Sequence, residues 1–485
     1  MIALLNPRSA RAKHRIPLSI LSLGAALEGR HSYELIDGNL DGDVTRTVLQ
    51  TLRQKKADYL GVSVMPGPQL TEAIRITQQV KAAMPHVKTI WGGYFPSLHT
   101  DVVLKSGLVD FVIRGEGDEA LPELLSGNLD AANLSYRVDD TIRHNPKRAA
   151  SDPNRLRPLP YHRLRVEQYL HPTCLGSRTA VYHSSFGCPF MCGFCAVASV
   201  YKGKWMGRDS QAVVNDVLAL RDKYGVNAIE FIDNNFFVGE KRTAEVAAGL
   251  KGQGIGWWGE ARPDTLMQYS DDTWRRMAEG GCRMIFLGVE SSSSDVLEAM
   301  DKGGTQTPEM VLDLARRMKG FGIVPEFSFV LGSPGVDVGR DIDRDIRYIR
   351  RIKEINPASE IIIYVYSPVS FDDAPLFKKA QEQGFEFPKN LTDWLDPAWA
   401  EFDLRKNPQT PWLKPEHIDR IMNFERVLNA RFPTVSDIKL RSWQIAVLKT
   451  LGSWRYRTGF YGAPYEIRFV ANRLFKYRQP EIEGF

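Results

Sequence analysis

Residues 188–195 read Cys-Pro-Phe-Met-Cys-Gly-Phe-Cys, and this stretch decides the fold because it gathers three of the five cysteines, Cys188, Cys192 and Cys195, in one short loop. The loop follows an alternating apolar run, Thr179 to Phe186, that predicts a strand. Iron–sulfur cubanes are usually held by four thiolates, so three cysteines leave one iron with open positions. A structural zinc ion needs four ligands, and this chain has no second CxxC pair. A thioredoxin-type site would use only two of the three thiols. The spacing therefore favours an open iron–sulfur cluster over a zinc site or a redox pair.

The CxxxCxxC spacing, with an aromatic residue directly before the last cysteine, resembles the motif of the radical S-adenosylmethionine enzymes. The resemblance implies that Cys188, Cys192 and Cys195 bind a 4Fe–4S cluster and carry the radical step. It also implies that the open iron binds the amino and carboxylate groups of S-adenosylmethionine (SAM), which the reduced cluster cleaves to a 5′-deoxyadenosyl radical.

The composition is that of an ordinary globular protein with room for two to four domains: 485 residues, 43% hydrophobic and 25% charged. The net charge of +5 is mild, so no nucleic-acid partner is expected. Five cysteines, three of them clustered, fit a metal site in a reducing compartment better than a disulfide framework. No signal-peptide pattern and no apolar run of about 18 residues is present. These features predict an oxygen-sensitive cytoplasmic enzyme without a transmembrane segment.

Residues 1 to about 135 alternate strand and helix signals, beginning with the apolar run Ile2–Leu5 and ending with Phe111–Ile113. Such alternation predicts an α/β fold, here a doubly wound, Rossmann-like parallel sheet, with ligands at the carboxyl ends of the strands. Glycines collect at those ends, but none forms GxGxxG, so a dinucleotide site is disfavoured.

The same stretch resembles the cobalamin-binding domain that precedes the radical module in one large subgroup of the family. The DxHxxG motif, whose histidine binds cobalt from below in many cobalamin proteins, is absent, and the nearest run is Asp37–Gly42. The resemblance therefore implies cobalamin without a histidine lower ligand, with the loop from Met65 to Gln69 facing the lower side of the corrin. The alternative is a domain that keeps the fold and binds nothing. The residues implied as cobalamin contacts are Asp37, Asn39, Ser63, Met65, Pro66, Gly67, Gly92, Gly93, Tyr94, Gly115 and Glu116.

Residues 136–175 are rich in proline and charge and are predicted to form a linker. Strand–helix alternation resumes over residues 176–375, where six βα units predict a partial (β/α)6 barrel with its active site at the strand C-termini.

Polar residues and glycines follow the predicted barrel strands, and the family resemblance implies a SAM contact for each. Asn234 and Asn235 lie where the backbone meets the amino group, although the family's usual Gly-Gly-Glu is missing here. Arg262 is implied as the partner of the methionyl carboxylate, since a guanidinium fork makes two charge-assisted bonds. Glu290 and Ser291 would bind the ribose hydroxyls, and Gly332 would let the backbone approach adenine closely. Each could instead be an ordinary strand-end cap.

Residues 376–485 are predicted to form a mostly helical domain, with helices at Pro415–Ala430 and Val435–Leu451. They contain five of the ten tryptophans, and residues 431–478 carry ten Lys/Arg against two acidic residues. Such a tail can stack on bases, lie on an anionic membrane surface, or cap a barrel. Because no nucleic-acid motif is present, we expect a lid with substrate between tail and barrel, and peripheral membrane contact stays open.

Together, the resemblance implies a cobalamin-dependent radical SAM enzyme that methylates an unactivated carbon. A radical cyclase or rearrangement enzyme of the same architecture is the alternative, and a non-catalytic redox or cobalamin sensor is a third. The substrate is expected to be a small molecule, and a hydrophobic lipid or tetrapyrrole would suit the aromatic tail. An external electron donor such as flavodoxin or ferredoxin is also implied.

Overall fold

A computed structural model describes residues 1–9, 14–149, 151–302, 305–368, 375–400, 409–433 and 440–477. These residues form a mixed seven-stranded sheet and a parallel six-stranded sheet, each packed against helices, followed by a helical C-terminal region. The predicted three-part α/β architecture is confirmed.

The N-terminal sheet has the strand order β2-β1-β3-β4-β5-β6-β7, in which the first five strands are parallel and the last two antiparallel. Its strands are β1 (Ile2–Asn6), β2 (Tyr33–Asp37), β3 (Tyr59–Ser63), β4 (Lys88–Gly92), β5 (Phe111–Ile113), β6 (Leu134–Val138) and β7 (Thr141–His144). Its helices are α1 (Leu18–Leu27), α2 (Val44–Gln54), α3 (Pro68–Ala83), α4 (Tyr94–Leu98), α5 (Thr100–Lys105) and α6 (Ala120–Leu125).

Strand β1 explains why helices cover both faces of this sheet. Ile2 and Leu4 pack in a cluster with residues of α1 and α6, whereas Ala3 and Leu5 pack with α2, α3 and α5. Side chains alternate along a strand, so an unbroken apolar run needs a helical layer on each side. The sheet is therefore doubly wound, as predicted.

The sheet continues past the predicted domain boundary at residue 135. Strands β6 and β7 form a hairpin that pairs with β5, so residues 136–144 belong to the sheet and not to the linker. The hairpin lies at the sheet edge, and most of β7 is exposed. It therefore lacks the apolar run by which a strand is recognised in sequence.

The second sheet has six parallel strands in the order β15-β14-β13-β12-β11-β8, which confirms the partial barrel. Its strands are β8 (Thr179–Tyr182), β11 (Ala228–Phe231), β12 (Gly256–Ala261), β13 (Cys282–Glu290), β14 (Val324–Leu331) and β15 (Glu360–Val365), and a separate antiparallel pair is formed by β9 (Ser185–Gly187) and β10 (Trp205–Gly207). Its helices are α7 (Ala196–Tyr201), α8 (Ser210–Tyr224), α9 (Glu240–Leu250), α10 (Pro263–Met267), α11 (Asp271–Glu279), α12 (Ser294–Ala299), α13 (Pro308–Phe321) and α14 (Val338–Ile355). The predicted strand Thr179 to Phe186 is thus divided between β8 and β9.

The C-terminal region contains α15 (Pro375–Glu382), α16 (Pro397–Ala400), α17 (Pro415–Arg431), α18 (Ser442–Thr458) and α19 (Tyr465–Phe469), followed by a π-helical turn at Val470–Leu474. The predicted helix at Pro415–Ala430 is confirmed. The one predicted at Val435–Leu451 corresponds to α18, and residues 435–439 lie outside the described residues. Within the described ranges, no helix has the length and apolar character needed to cross a membrane.

The C-terminal region contacts both sheets. Helix α17 packs on α14 and on the edge strand β15, outside the barrel. Trp394, in a 3₁₀ turn at Leu391–Leu395, packs against Phe95 and His99 of the N-terminal domain, at ring distances of 4.9 and 5.2 Å. Helix α17 therefore does not cover the strand ends, and the expected lid stays a prediction.

Candidate active site

The cysteine loop is held in place at its start and in its middle. It begins at Gly187, whose φ of +75° and close approach to the Lys204 carbonyl oxygen leave no room for a Cβ. Within the loop, the Gly193 N–H donates to the Met300 carbonyl at 2.9 Å. Ahead of it, the buried carboxylate of Asp233 accepts the N–H groups of two serines at the corner between β8 and β9. The thiols thus stand on a fixed loop at the carboxyl ends of the barrel strands.

Two residues predicted to contact SAM, Arg262 through its side chain and Asn235 through its backbone, have side chains that lie against the cysteines. The Arg262 Nη1 is 3.2 Å from the Cys192 Sγ, and the Asn235 Nδ2 is 3.8 Å from the Cys188 Sγ. The Arg262 guanidinium also lies 3.9 Å from the centre of the Phe190 ring, within the loop itself. These contacts supply hydrogen-bond donors to sulfur, which is the environment that stabilises cluster thiolates.

Arg262 also makes a contact that the sequence analysis did not predict. Its Nε and Nη2 donate to the two carboxylate oxygens of Asp264, at 3.0 and 2.7 Å, and both side chains are buried. The guanidinium fork is therefore used by a protein carboxylate, and only Nη1 faces the thiols. Direct pairing of Arg262 with the methionyl carboxylate stays a prediction, and it would have to use the Nη1 group, which does not contact Asp264.

The three cysteines fit a cluster although they do not converge on one point. No group of three His, Cys, Asp or Glu side chains among the described residues is close enough to share a single metal ion. In a cubane each thiolate binds its own iron, so the sulfurs stand apart and surround the cluster. Three thiols on one loop with nearby N–H donors suit that geometry, and Cys192 is the most buried of them.

Glu290 and Ser291 are buried, but protein groups already contact both side chains. The Glu290 Oε1 accepts from the Lys302 Nζ at 2.5 Å, and the same ammonium donates to the Gly288 carbonyl at 2.8 Å. Ser291 lies beside Asp345, whose pKa is raised to about 7, mainly by burial. Glu290 has a φ of +66°, a strained conformation for a residue with a side chain. Its contact with ribose stays a prediction.

Gly332 adopts a φ of +80°, but the chain itself occupies the space beside it. A Cβ at this position would lie 2.9 Å from a methyl carbon of Leu413, and the Trp412 Nε1 donates to the Gly332 carbonyl at 2.9 Å. The C-terminal region therefore reaches the strand ends at Trp412 and Leu413. A lid formed by this part of the tail stays a prediction.

Asp37 and Asn39 belong to a buried hydrogen-bond network between β1, β2 and the linker. Asp37 accepts from Asn6 at 2.8 Å, from the Asn39 side chain at 3.0 Å and from the Tyr169 hydroxyl at 2.9 Å. The Gln69 amide joins the network through Asn6. These side chains fix the loops to one another, and their direct contact with cobalamin stays a prediction.

The remaining predicted cobalamin residues lie at or just after the carboxyl ends of β3, β4 and β5. Met65 and Pro66 are exposed. At Gly93, φ is +99° and a Cβ would lie 2.8 Å from the Val64 carbonyl oxygen, so the turn requires glycine. The others, at least partly accessible, are Ser63, Gly67, Gly92, Tyr94, Gly115 and Glu116. This open edge suits a large flat ligand.

The N-terminal domain contacts the barrel domain at Tyr94. Helix α4, which begins at Tyr94, packs on α7, the helix that follows Cys195 directly. Burial raises the pKa of Tyr94 to about 12, and an interaction with the Asn234 side chain opposes that shift. Loops predicted to bind cobalamin therefore face the loop predicted to bind the cluster.

The inside of the barrel is acidic. Alternate residues of β11, β12 and β14 pack in the helix-facing core, which leaves Glu230, Glu260 and Glu326 on the inner face. Burial and the charge of Asp233 raise the pKa of Glu260 to about 7. Burial and the neighbouring glutamates raise the pKa of Glu326 to about 8. Arg15, from the loop after β1, pairs with Glu230 at 3.0 Å.

Several of these groups were not predicted from the sequence. Asp233 and Asp264 lie beside predicted residues in the runs Asp-Asn-Asn and Arg-Pro-Asp. Their position at the ends of predicted strands could therefore have identified them as site residues. Lys302 carried no such signal, because a lysine is usually exposed. The inward glutamates could have been found from strand alternation, once the opposite face was assigned to the helices.

Comparison with known families agrees with this geometry. Residues 11–125 match the B12 binding domain, and residues 182–366 match the Radical SAM superfamily. The chain is therefore a radical SAM enzyme that carries a B12-binding domain before its radical SAM domain. The predicted cofactor set of a 4Fe–4S cluster, SAM and cobalamin agrees with these two domains.

Two curated relatives span about two thirds of this chain. An uncharacterized methyltransferase of Pyrococcus horikoshii is 26% identical over 349 residues, which cover 69% of this chain and 73% of that protein. The anaerobic magnesium-protoporphyrin IX monomethyl ester cyclase of Synechocystis is 24% identical over 340 residues, 65% of this chain and 66% of the cyclase.

Two solved structures share the fold over nearly the whole chain, at 16% identity. The cobalamin-dependent SAM radical enzyme OxsB, with aqua-cobalamin and SAM bound, has a TM-score of 0.71 over 98% of this chain and 75% of its own. The radical SAM methyltransferase TsrM from Kitasatospora setae, with cobalamin and a 4Fe–4S cluster bound, has a TM-score of 0.66 over 97% of this chain and 99% of its own.

Proposed function

We propose that this radical SAM enzyme transfers a methyl group to an unactivated carbon of a small molecule bound between its two sheets. The observation that carries the proposal is the junction at Tyr94, where the open edge of the B12-binding domain faces the cysteine loop. When bound, the cluster with SAM would supply a carbon-centred radical, and methylcobalamin would supply the methyl group. Both must reach one substrate carbon, which requires their sites to face each other.

The protein's own groups would hold and shield these ligands. Cys188, Cys192 and Cys195 would bind the three protein-ligated irons. Arg262 and Asn235 would donate to the thiolates, and Asp264 would keep the guanidinium in that orientation. Glu260 would hold or accept a proton near neutral pH at the mouth of the barrel.

The reductant is proposed to dock beside the cysteine loop. Met191 is exposed there and contacts Gly203, and the exposed ammonium groups of Lys147, Lys202 and Lys204 belong to the same region. This positive surface would complement an acidic electron carrier such as flavodoxin or ferredoxin. The double variant Lys202→Glu/Lys204→Glu should slow reduction by flavodoxin and not by a small chemical reductant. If flavodoxin reduces the parent and the double variant at equal rates, the docking site does not include Lys202 and Lys204.

The main test uses anaerobically purified, cluster-reconstituted protein loaded with hydroxocobalamin and desalted. We expect retained corrin absorption, and formation of both 5′-deoxyadenosine and S-adenosylhomocysteine once reductant and a small-molecule extract are added. With trideuteromethyl-labelled SAM, the product should carry the intact label on carbon. Cys192→Ala should abolish 5′-deoxyadenosine formation, whereas Cys174→Ser, a matched change outside the cysteine loop, should not.

The similarity to the anaerobic cyclase supports one alternative, oxidative cyclisation by the same architecture. A cyclised product would have lost hydrogen and would carry no deuterated methyl group. Loss of all corrin on desalting, with 5′-deoxyadenosine still formed, would contradict the methyltransferase proposal.

A further inference from the structure

The outer face of helix α18 carries a stripe of large apolar side chains beside exposed cations, which is unusual for a surface helix. Trp443, Val447 and Trp454 follow one another at spacings of four and seven residues, so they lie on one stripe. Leu448 and Gly452 form part of the opposite, buried face. The stripe is exposed, with Trp443 at 57% and Trp454 at 47%. Large apolar side chains gathered on one exposed helix face mark a contact surface.

Neighbouring aromatic residues extend the stripe at both ends. Phe460 stacks on Trp454 at 6.1 Å, and Phe475 contacts Trp443 edge-on at 5.2 Å. We call Trp443, Val447, Trp454 and Phe460 the aromatic ridge. Of the eleven exposed large apolar side chains in the described part of the chain, seven belong to residues 440–477. The exposure is therefore concentrated in one region and marks a binding surface.

Apart from Glu466, the charged side chains of residues 440–477, the segment that contains the aromatic ridge, are all positive. Between residues 440 and 477 the only acidic residue is Glu466, and the buried Arg455 guanidinium pairs with it. The exposed cations of this segment are Arg441, Lys449, Arg457, Arg468, Arg473 and Lys476. The partner must therefore be anionic and must also accept aromatic side chains.

The surface is held in shape by its own contacts. Arg455 donates from Nη1 to the Gly462 carbonyl at 2.7 Å, which ties the turn after α18 back to the helix. The Arg350 Nη1 donates to the Tyr461 hydroxyl at 2.7 Å and joins the turn to the barrel helix α14. The aromatic ridge is thus fixed relative to the barrel.

We propose that the aromatic ridge and its cations dock on an anionic lipid bilayer, with α18 lying in the plane of the interface. Tryptophan and other aromatic side chains are favoured at the boundary between headgroups and acyl chains, and Lys and Arg bind the anionic headgroups. A second copy of this chain would bring the same positive charge to the contact, which disfavours a dimer through this face. Docking would hold the barrel and the B12-binding domain beside the membrane surface.

The test is co-sedimentation of the holoenzyme with extruded vesicles, either phosphatidylcholine alone or phosphatidylcholine with about one third phosphatidylglycerol. We expect binding to the anionic vesicles and little to the neutral ones. Lys449→Gln/Arg457→Gln should weaken partitioning to the anionic vesicles about 25-fold, because the loss of each cation weakens it about fivefold. Trp443→Ser/Trp454→Ser should weaken it about tenfold or more.

Matched controls change equally exposed residues on other faces. Leu129→Ser/Val138→Ser and Lys105→Gln/Lys241→Gln should bind vesicles as the parent does. Thermal unfolding and corrin retention should be unchanged in all four variants, which separates docking from misfolding. The proposal is overturned by equal binding to neutral vesicles, by no binding, or by full binding of the ridge variants. Two other outcomes would assign the face to a different partner and overturn the proposal. One is that RNA displaces the protein from vesicles that carry the same amount of charge. The other is that the parent forms a dimer and the tryptophan variant does not.

Discussion

Replacing Lys302 with methionine should destabilise the barrel strongly, because Lys302 is the charged partner of a buried carboxylate. The Lys302 and Glu290 side chains are 4% and 7% exposed, and their nitrogen and oxygen atoms are 2.5 Å apart. Methionine keeps most of the side-chain volume but leaves Glu290 unpaired. Breaking a buried pair in this way costs about 3–5 kcal/mol. At about 2–4 °C per kcal/mol, the melting temperature should fall by roughly 6–20 °C.

The loss should depend on pH with a definite sign. Without the ammonium, Glu290 is an unpaired buried carboxyl group, and burial favours the neutral form of such a group over the charged one. When the pKa of a group is higher in the folded state than in the unfolded state, the protein is most stable at pH values below the unfolded-state pKa. Its stability then falls as the pH rises through the folded-state pKa. The Lys302→Met variant should therefore lose less stability at pH 5 than at pH 8. Removing both charges, in Lys302→Met/Glu290→Gln, should restore most of the loss and abolish this difference.

Differential scanning fluorimetry and urea unfolding at the two pH values provide the measurement. Lys251→Met is the control, because Lys251 pairs with Glu279 at a similar 2.7 Å while both side chains are more than half exposed. Its melting temperature should not change. The reasoning is refuted if Lys302→Met melts with the parent, or if the double variant is no more stable than the single one.

Four further predictions follow from single residues of the site. Arg262→Lys keeps the charge but loses the fork, so it should melt earlier and alter the electron paramagnetic resonance spectrum of the reduced cluster; an unchanged spectrum would contradict the contact with sulfur. Tyr94→Phe should lower the fraction of cobalamin retained after desalting while leaving the cluster absorbance intact, and loss of both would indicate misfolding. Gly93→Ala should lower the melting temperature more than Gly127→Ala. Both glycines have a positive φ, but only Gly93 lacks room for a Cβ. Equal losses would mean that the loop at Gly93 can relax. Glu260→Gln should stabilise the protein more at pH 8 than at pH 5, since burial raises the pKa of Glu260 to about 7; a pH-independent effect in urea unfolding would contradict that shift.

The organisation of the site follows from a general property of parallel sheets. Both sheets present their loops at the carboxyl ends of the strands, and these two edges face each other across Tyr94 and α7. Each domain can therefore keep its own binding loops while one substrate lies between them. The linker contributes to this arrangement through Tyr169, whose hydroxyl reaches Asp37 across 132 residues of sequence.

The sequence by itself determined the features that depend on local spacing. The cysteine loop is set by three residues within eight, and the two parallel sheets by the alternation of short apolar runs with helical periodicity. It did not determine the hairpin of β6 and β7, because an exposed edge strand has little apolar pattern. Only the tertiary structure decided which partner each polar strand-end residue has: Asp264 and Cys192 for Arg262, Lys302 for Glu290, and Trp412 for the carbonyl of Gly332. The physical reason is that a buried polar group must be paired, and the nearest partner in the folded chain is set by packing between distant segments.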